Sequence, residues 1–272
     1  MSAQEFTVIE ESKDDASGRH LRIIERRGYR EMVFDVQELG VRFSQPGVWT
    51  TIDPALTSLD EARESVRLSH LHTVELRSLP RPSLYGRNLP RTPWGQADSG
   101  TSYAEGISGF GTSSHGGMKL DAKNNAKVHP ALRNRGGWYE EDGEKSKVVW
   151  TFQSLFTTRE VAQARDYLVN TLPHEFMEAT GEVIAIADSR KLVEEAFYRD
   201  NAGKWMVISA STRDDGDTAC IATIDGKRTE WNKPPVEERT FIVPKGEYDY
   251  RGLPFVIDES RHEEVVDASP RP

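Results

Sequence analysis

The chain contains a single cysteine, Cys220. No internal disulfide can form, and this cysteine usage fits a reducing compartment. No run of about 18 apolar residues occurs, so no membrane-spanning helix is expected. The opening MSAQEFTVIEESKDD is acidic and strand-like and lacks the basic start and apolar core of a secretory leader. Several catalytic signatures are missing too. There is no G-x-S-x-G elbow, no HExxH and no CxxC. Gly111-Thr-Ser-Ser-His-Gly-Gly-Met-Lys119 begins like a phosphate loop, but its lysine is displaced and no hydroxyl follows it. No repeat of 20–50 residues is visible.

What is present describes a folded, soluble chain. Of 272 residues, 36% are hydrophobic and 29% charged, with a net charge of −9, and aromatic and aliphatic residues recur throughout. The charge is uneven. Residues 81–160 carry more basic than acidic groups, and both flanks are acidic. An acidic chain is repelled by nucleic acid at long range, which lowers the expectation of general DNA binding.

The pattern predicts an α+β fold in four segments. Residues 1–77 hold apolar runs at 5–11, 20–25 and 30–36 separated by turn residues, and a fourth near Val48–Ile52. Ser58 and Glu61 form a capping-box pattern opening a helix with Leu59, Ala62 and Val66 on one side. This predicts a small antiparallel sheet covered by a helix. Residues 78–93 contain four prolines and read as a linker or strap. Residues 94–181 form a Gly-rich central domain. Within it the pattern predicts short strands at 104–107 and 117–120 and a buried strand over Val148–Phe152. Thr157 opens a capped helix, and a shorter one runs from Pro173 to a left-handed cap at Gly181. Residues 182–272 predict a helix at Arg190–Tyr198, a hairpin around Arg213–Asp217, strands at 239–244 and 253–257, and a frayed tail.

The stretch from Thr92 to Asp142 carries the candidate chemistry. It places histidine and tryptophan beside glycine pairs, a composition suited to tight backbone geometry around chosen side chains. His115 is a candidate base or ligand. Glu140, Glu141 and Asp142 are candidate catalytic carboxylates, able to join His115 and His129 around a divalent metal as a two-histidine, one-carboxylate set. No metal or cofactor is specified by the spacing. Trp94, Trp138 and Tyr139 are candidate binding aromatics, with Trp138 a candidate packing anchor. Lys123, Lys127, Arg133 and Arg135 form a basic run able to contact phosphates. Arg22, Arg26 and Arg27 cluster on the N-terminal sheet, as in sheet-reading DNA modules, though acids neighbour them. Cys220 reads as inert core.

Trp94-Gly95, His115-Gly116-Gly117 and Gly137-Trp138-Tyr139-Glu140-Glu141-Asp142, in that order across roughly 92–181, resemble an uncharacterised domain family of tailed phages, integrative elements and conjugative plasmids. Members of that family continue with Cys-Glu-Trp where this chain has Gly143-Glu144-Lys145, which argues against shared cysteine chemistry. The resemblance implies a cytoplasmic protein of a bacterial mobile element. It further implies stoichiometric binding to a host protein, of the anti-CRISPR or anti-restriction kind. Two other expectations stand beside it. One is a hydrolase or modifying enzyme built on His115 and the acidic triplet. The other is a nucleic-acid-binding regulator using the N-terminal arginines.

Overall fold

A computed structural model describes residues 6–28, 31–40, 47–84, 88–250 and 252–265. The fold is α+β, and the chain divides into two compact units, 1–182 and 183–272.

The first unit opens with an antiparallel meander in chain order: β1 (Phe6–Asp14), β2 (Arg19–Arg27), β3 (Met32–Leu39) and β4 (Trp49–Leu56). Alternation in β2 sends Leu21 and Ile23 inward, and α1 (Leu59–Leu76) covers that face through Ala62 and Val66. Ser58 caps α1 by accepting the Glu61 N–H at 3.2 Å. The expected reciprocal bond is absent. The Glu61 carboxylate instead takes the N–H and hydroxyl of Thr57, one residue earlier.

Residues 82–84 run along the outer edge of the next sheet, with Leu84 N–H donating to the Gly100 carbonyl at 2.9 Å. A two-residue hairpin follows, β5 (Arg91–Thr92) and β6 (Gly95–Gln96). The second sheet then forms from β7 (Ser99–Ala104), β8 (Ile107–Gly111), β9 (Gly116–Leu120) and β10 (Trp138–Glu140), in the order β10-β9-β8-β7. Residues 104–107, expected as a strand, are instead the β7–β8 turn, where Gly106 has φ 75°. Between β9 and β10 lie α2 (Ala122–Asn125) and a short turn of 3₁₀ helix. Tyr139 is fully buried in this sheet. Its hydroxyl donates to Asn125 Oδ1 at 2.6 Å and accepts the Asn134 N–H at 3.2 Å, which ties the long β9–β10 connection to the sheet.

Three helices close the unit: α3 (Lys145–Thr151), α4 (Thr158–Thr171) and α5 (Pro173–Thr180). Val148–Phe152 was expected as a strand and is instead mostly α3. Its β-branched residues pack Val148 and Val149 inward against α4, so tertiary packing overrides strand propensity. Thr157 and Glu160 form the full capping box of α4. Gly181 ends α5 in the left-handed region, φ 73°.

Arg81 anchors the strap to α4 by a two-pronged bond to Glu160, at 2.9 and 2.7 Å. Its guanidinium lies over the Tyr103 ring at 5.0 Å and the Phe156 ring at 5.6 Å.

The second unit contains α6 (Arg190–Asp200) and an antiparallel sheet in chain order: β11 (Trp205–Thr212), β12 (Thr218–Ile224), β13 (Arg239–Val243) and β14 (Glu263–Val265). Its core is Trp205, Val207, Cys220, Ala222, Phe241, Val243 and Ile257. Burial pushes the Cys220 thiol up to about 11, as expected of an inert core residue. Two expectations fail here. Residues 253–257 make only a single bridge, Val256 to Met206, flanked by two backbone bonds to β11. Residues 263–265 of the polar tail supply β14 instead, since edge pairing with β13 uses backbone groups that composition does not reveal, and residues 266–272 of the expected frayed tail lie outside the described residues. Among the described residues, no helix is long and apolar enough to cross a membrane.

Candidate functional site

β9 and β10 are antiparallel neighbours, with Gly117 opposite Glu140. The start of β9 therefore meets the end of β10, and the Glu141 N–H donates to the Gly116 carbonyl at 3.0 Å. This pairing, bridging 25 residues of sequence, brings His115 beside Glu140 and Glu141. One ligand atom from each of the three lies within 4.8 Å of the others. His115 is exposed, and the two glutamates are half-buried. The Thr112–His115 loop is closed by its own bonds: the Thr112 N–H donates to the His115 carbonyl at 2.8 Å, and the His115 N–H to Thr112 Oγ1 at 3.2 Å.

The two glycines after His115 have separate reasons. A Cβ on Gly116 would lie 2.5 Å from Glu141 Oε2 and 2.9 Å from the Phe110 carbonyl, so only glycine leaves room for that carboxylate. A Cβ on Gly117, on the opposite face, would overlap both the Trp94 ring and the Tyr139 carbonyl. Glycine there lets the Trp94 indole lie against the sheet. Trp94 meets Trp138 edge-on at 5.8 Å, and Phe110 adds a third ring 5.9 Å from Trp138. Lys119 Nζ sits 5.0 Å from the Trp138 ring centroid and donates to the Gly136 carbonyl at 2.6 Å. Trp138 is only half-buried, so the buried anchor of the segment is Tyr139.

Glu140 carries an unusual burden. Its Oε2 accepts the Asp142 N–H at 2.7 Å, and its Oε1 is buried with no partner. A buried carboxylate oxygen with nothing to accept from is costly, of order 1–3 kcal/mol, unless something positive is brought to it. Three ligand atoms of one imidazole and two carboxylates suit a divalent ion such as Zn²⁺ or Mn²⁺ and leave coordination positions open.

The other candidates are placed elsewhere. His129 does not join the cluster: its Nδ1 accepts the Ala131 N–H at 3.3 Å and caps the 3₁₀ turn. The two-histidine set is therefore replaced by one histidine and two glutamates. Asp142 is exposed and outside the cluster, contributing its backbone N–H to Glu140. Lys127 reaches Asn124 Oδ1, and Arg133 donates to the carbonyls of Val128 and Ala126. Lys123 and Arg135 are exposed. On the N-terminal sheet, Arg26 is paired with Asp35, and Arg22 donates to Gln37 while lying 4.2 Å over the Trp49 ring. Arg27 is exposed.

Sequence reasoning missed a cavity of about 420 Å³ between β1, β2 and α1, lined by Ser12 and His70 among others. A signal was available: His70 is a polar residue in the helical row of Ala62, Val66 and Ser69, the side α1 turns inward.

A domain of unknown function (DUF7007) matches residues 87–202, which contain the whole cluster. No curated protein and no solved structure matches the chain.

Proposed function

We propose that the central sheet holds a divalent metal ion at His115, Glu140 and Glu141, and that the protein is a metal-dependent hydrolase. The observation carrying this reading is the convergence of three ligand atoms within 4.8 Å, one of them from Glu140, whose Oε1 is buried and unpartnered. With three protein ligands, the ion keeps positions for a water and a substrate oxygen, the arrangement of catalytic rather than structural sites. The exposed His115 leaves the site open to solvent.

The test separates metal binding from packing. Without metal, Glu140→Gln should raise stability by about 1 kcal/mol, because a neutral amide relieves the repulsion with Glu141. Titrated with Mn²⁺ or Zn²⁺, the wild type should gain thermal stability and show calorimetric binding. Glu140→Gln should bind at least about tenfold more weakly. Equal affinity in both proteins would sink the metal centre.

A second reading is stoichiometric binding to a host protein by a phage- or plasmid-borne anti-defence factor. It is supported by Trp231, 91% exposed in the connection from β12 to β13 of the acidic second unit. An exposed tryptophan on a charged surface suits an interface anchor. Titration against a purified host target should then break near equimolar and survive His115→Ala. Full effect at a small fraction of the target concentration would instead show turnover.

A further inference from the structure

The cavity in the N-terminal sheet holds a second arrangement of reactive groups, separate from the His115 cluster. His70, on α1, bonds two serines of the β1–β2 hairpin. Its Nε2 lies 3.0 Å from Ser12 Oγ and its Nδ1 2.7 Å from Ser17 Oγ. Ser17 Oγ also accepts the Arg19 N–H at 3.2 Å and lies 3.4 Å from the Asp14 carbonyl. In the tautomer with its proton on Nδ1, donated to Ser17, Nε2 is unprotonated and faces the Ser12 hydroxyl. Ser17 is itself buried and held by the Asp14 carboxylate, which accepts the Ser17 N–H at 2.6 Å. The imidazole is thus fixed from one side and free to act on the other.

Burial holds the His70 imidazole below its ordinary pKa, with the Asp14 carboxylate working the other way. It is neutral near pH 7. Ser12 is half-buried and lines the cavity, so a ligand there reaches its oxygen. Leu21, Ile23 and Val66 form an apolar floor, and Arg63 and Arg67 add guanidinium groups to the wall.

We propose that Ser12 and His70 are a nucleophile and general base that cleave esters of short acyl chains in this cavity. Ser12 Oγ bonds to the acyl carbon as its proton passes to His70 Nε2. His70 returns that proton to the leaving alkoxide as the ester bond breaks. A water, deprotonated by His70, then releases the acid and restores Ser12. The apolar floor takes the acyl chain, while Arg63 and Arg67 at the wall are paired with Glu10 and Glu64. Ser17 is a positioning residue, setting the tautomer.

The test uses the full chain in EDTA, so that the metal centre cannot contribute. A fluorophosphonate probe should label Ser12, located by peptide mass mapping, and p-nitrophenyl butyrate should be hydrolysed. Ser12→Ala should abolish both. His70→Gln should slow labelling at least about 100-fold, and Ser17→Ala should shift its pH profile. Should His70→Gln fail to fold, the Ser12→Ala comparison and the mapped site decide. A probe that does not label Ser12, or labels it as fast in folded His70→Gln, overturns the proposal. So does hydrolysis that EDTA removes, and in that case the activity belongs to the metal centre.

Discussion

Gly117→Ala should unfold or grossly destabilise the first unit, by about 3 kcal/mol or more, the upper end of overpacking costs. The added methyl has two obstacles. Trp94 could swing away, at the loss of its contacts with the sheet and with Trp138. The Tyr139 carbonyl cannot, because it belongs to the paired backbone of β10. Relief would require β9 and β10 to separate at the point where Glu140 is held. Urea unfolding followed by tryptophan fluorescence measures the loss. Gly136→Ala is the internal control, since its nearest obstacle is a Trp138 ring atom at 3.8 Å and its φ is ordinary. That change should stay within about 0.5 kcal/mol, as for most unconstrained surface sites. Equal effects at the two glycines would refute the account of the tandem pair.

Glu160→Ala carries the second large effect, about 2 kcal/mol, between the scales of exposed and buried ion pairs, because this pair is only partly buried. It strands Arg81 between Tyr103 and Phe156, where its Nε already lacks a partner, and it opens the cap of α4. Arg81→Met combined with Glu160→Gln should recover part of the loss, because no charge is then left buried alone. The pair also predicts an acid response. Burial pushes the Glu160 carboxyl up, but the Arg81 and Thr157 bonds outweigh it and hold the pKa below the ordinary 4.5. A depressed folded pKa contributes stability that is complete above about 4.5 and lost as pH falls through the lower folded value. Glu160→Gln should flatten that part of the stability–pH curve. An unchanged acid limb would show that Glu160 does not control it.

The N-terminal sheet and its helix were legible because alternation in Leu21 and Ile23, and the Ser58 cap, are local signals. α3 was not. Glu144 at its start makes no side-chain capping bond, and Val148-Val149 reads as strand until α4 is there to pack against. β14 was hidden for a related reason: its pairing rests on backbone bonds to β13. At the site, the glycines marked the loop that carries His115, but the neighbours of His115 depended on which strands pair. His129, equal to His115 by composition, is spent on a local cap. The serine–histidine cavity was illegible because Ser12, Ser17 and His70 meet only when α1 lies across the hairpin.

The clamp between Arg81 and Glu160 bears on where this protein can be cut for study or recombination. The domain-matched segment 87–202 contains His115, Glu140 and Glu141 but begins six residues after Arg81. Excised at that boundary, it would carry Glu160 without its cation, β7 without the strap along its edge, and α4 without the α1 contacts that include His72 to Thr157 at 2.7 Å. The matched segment and the compact unit of this chain therefore do not coincide. A fragment of this chain meant to fold alone must therefore start upstream of Arg81, so that the cation and the strap travel with α4 and β7.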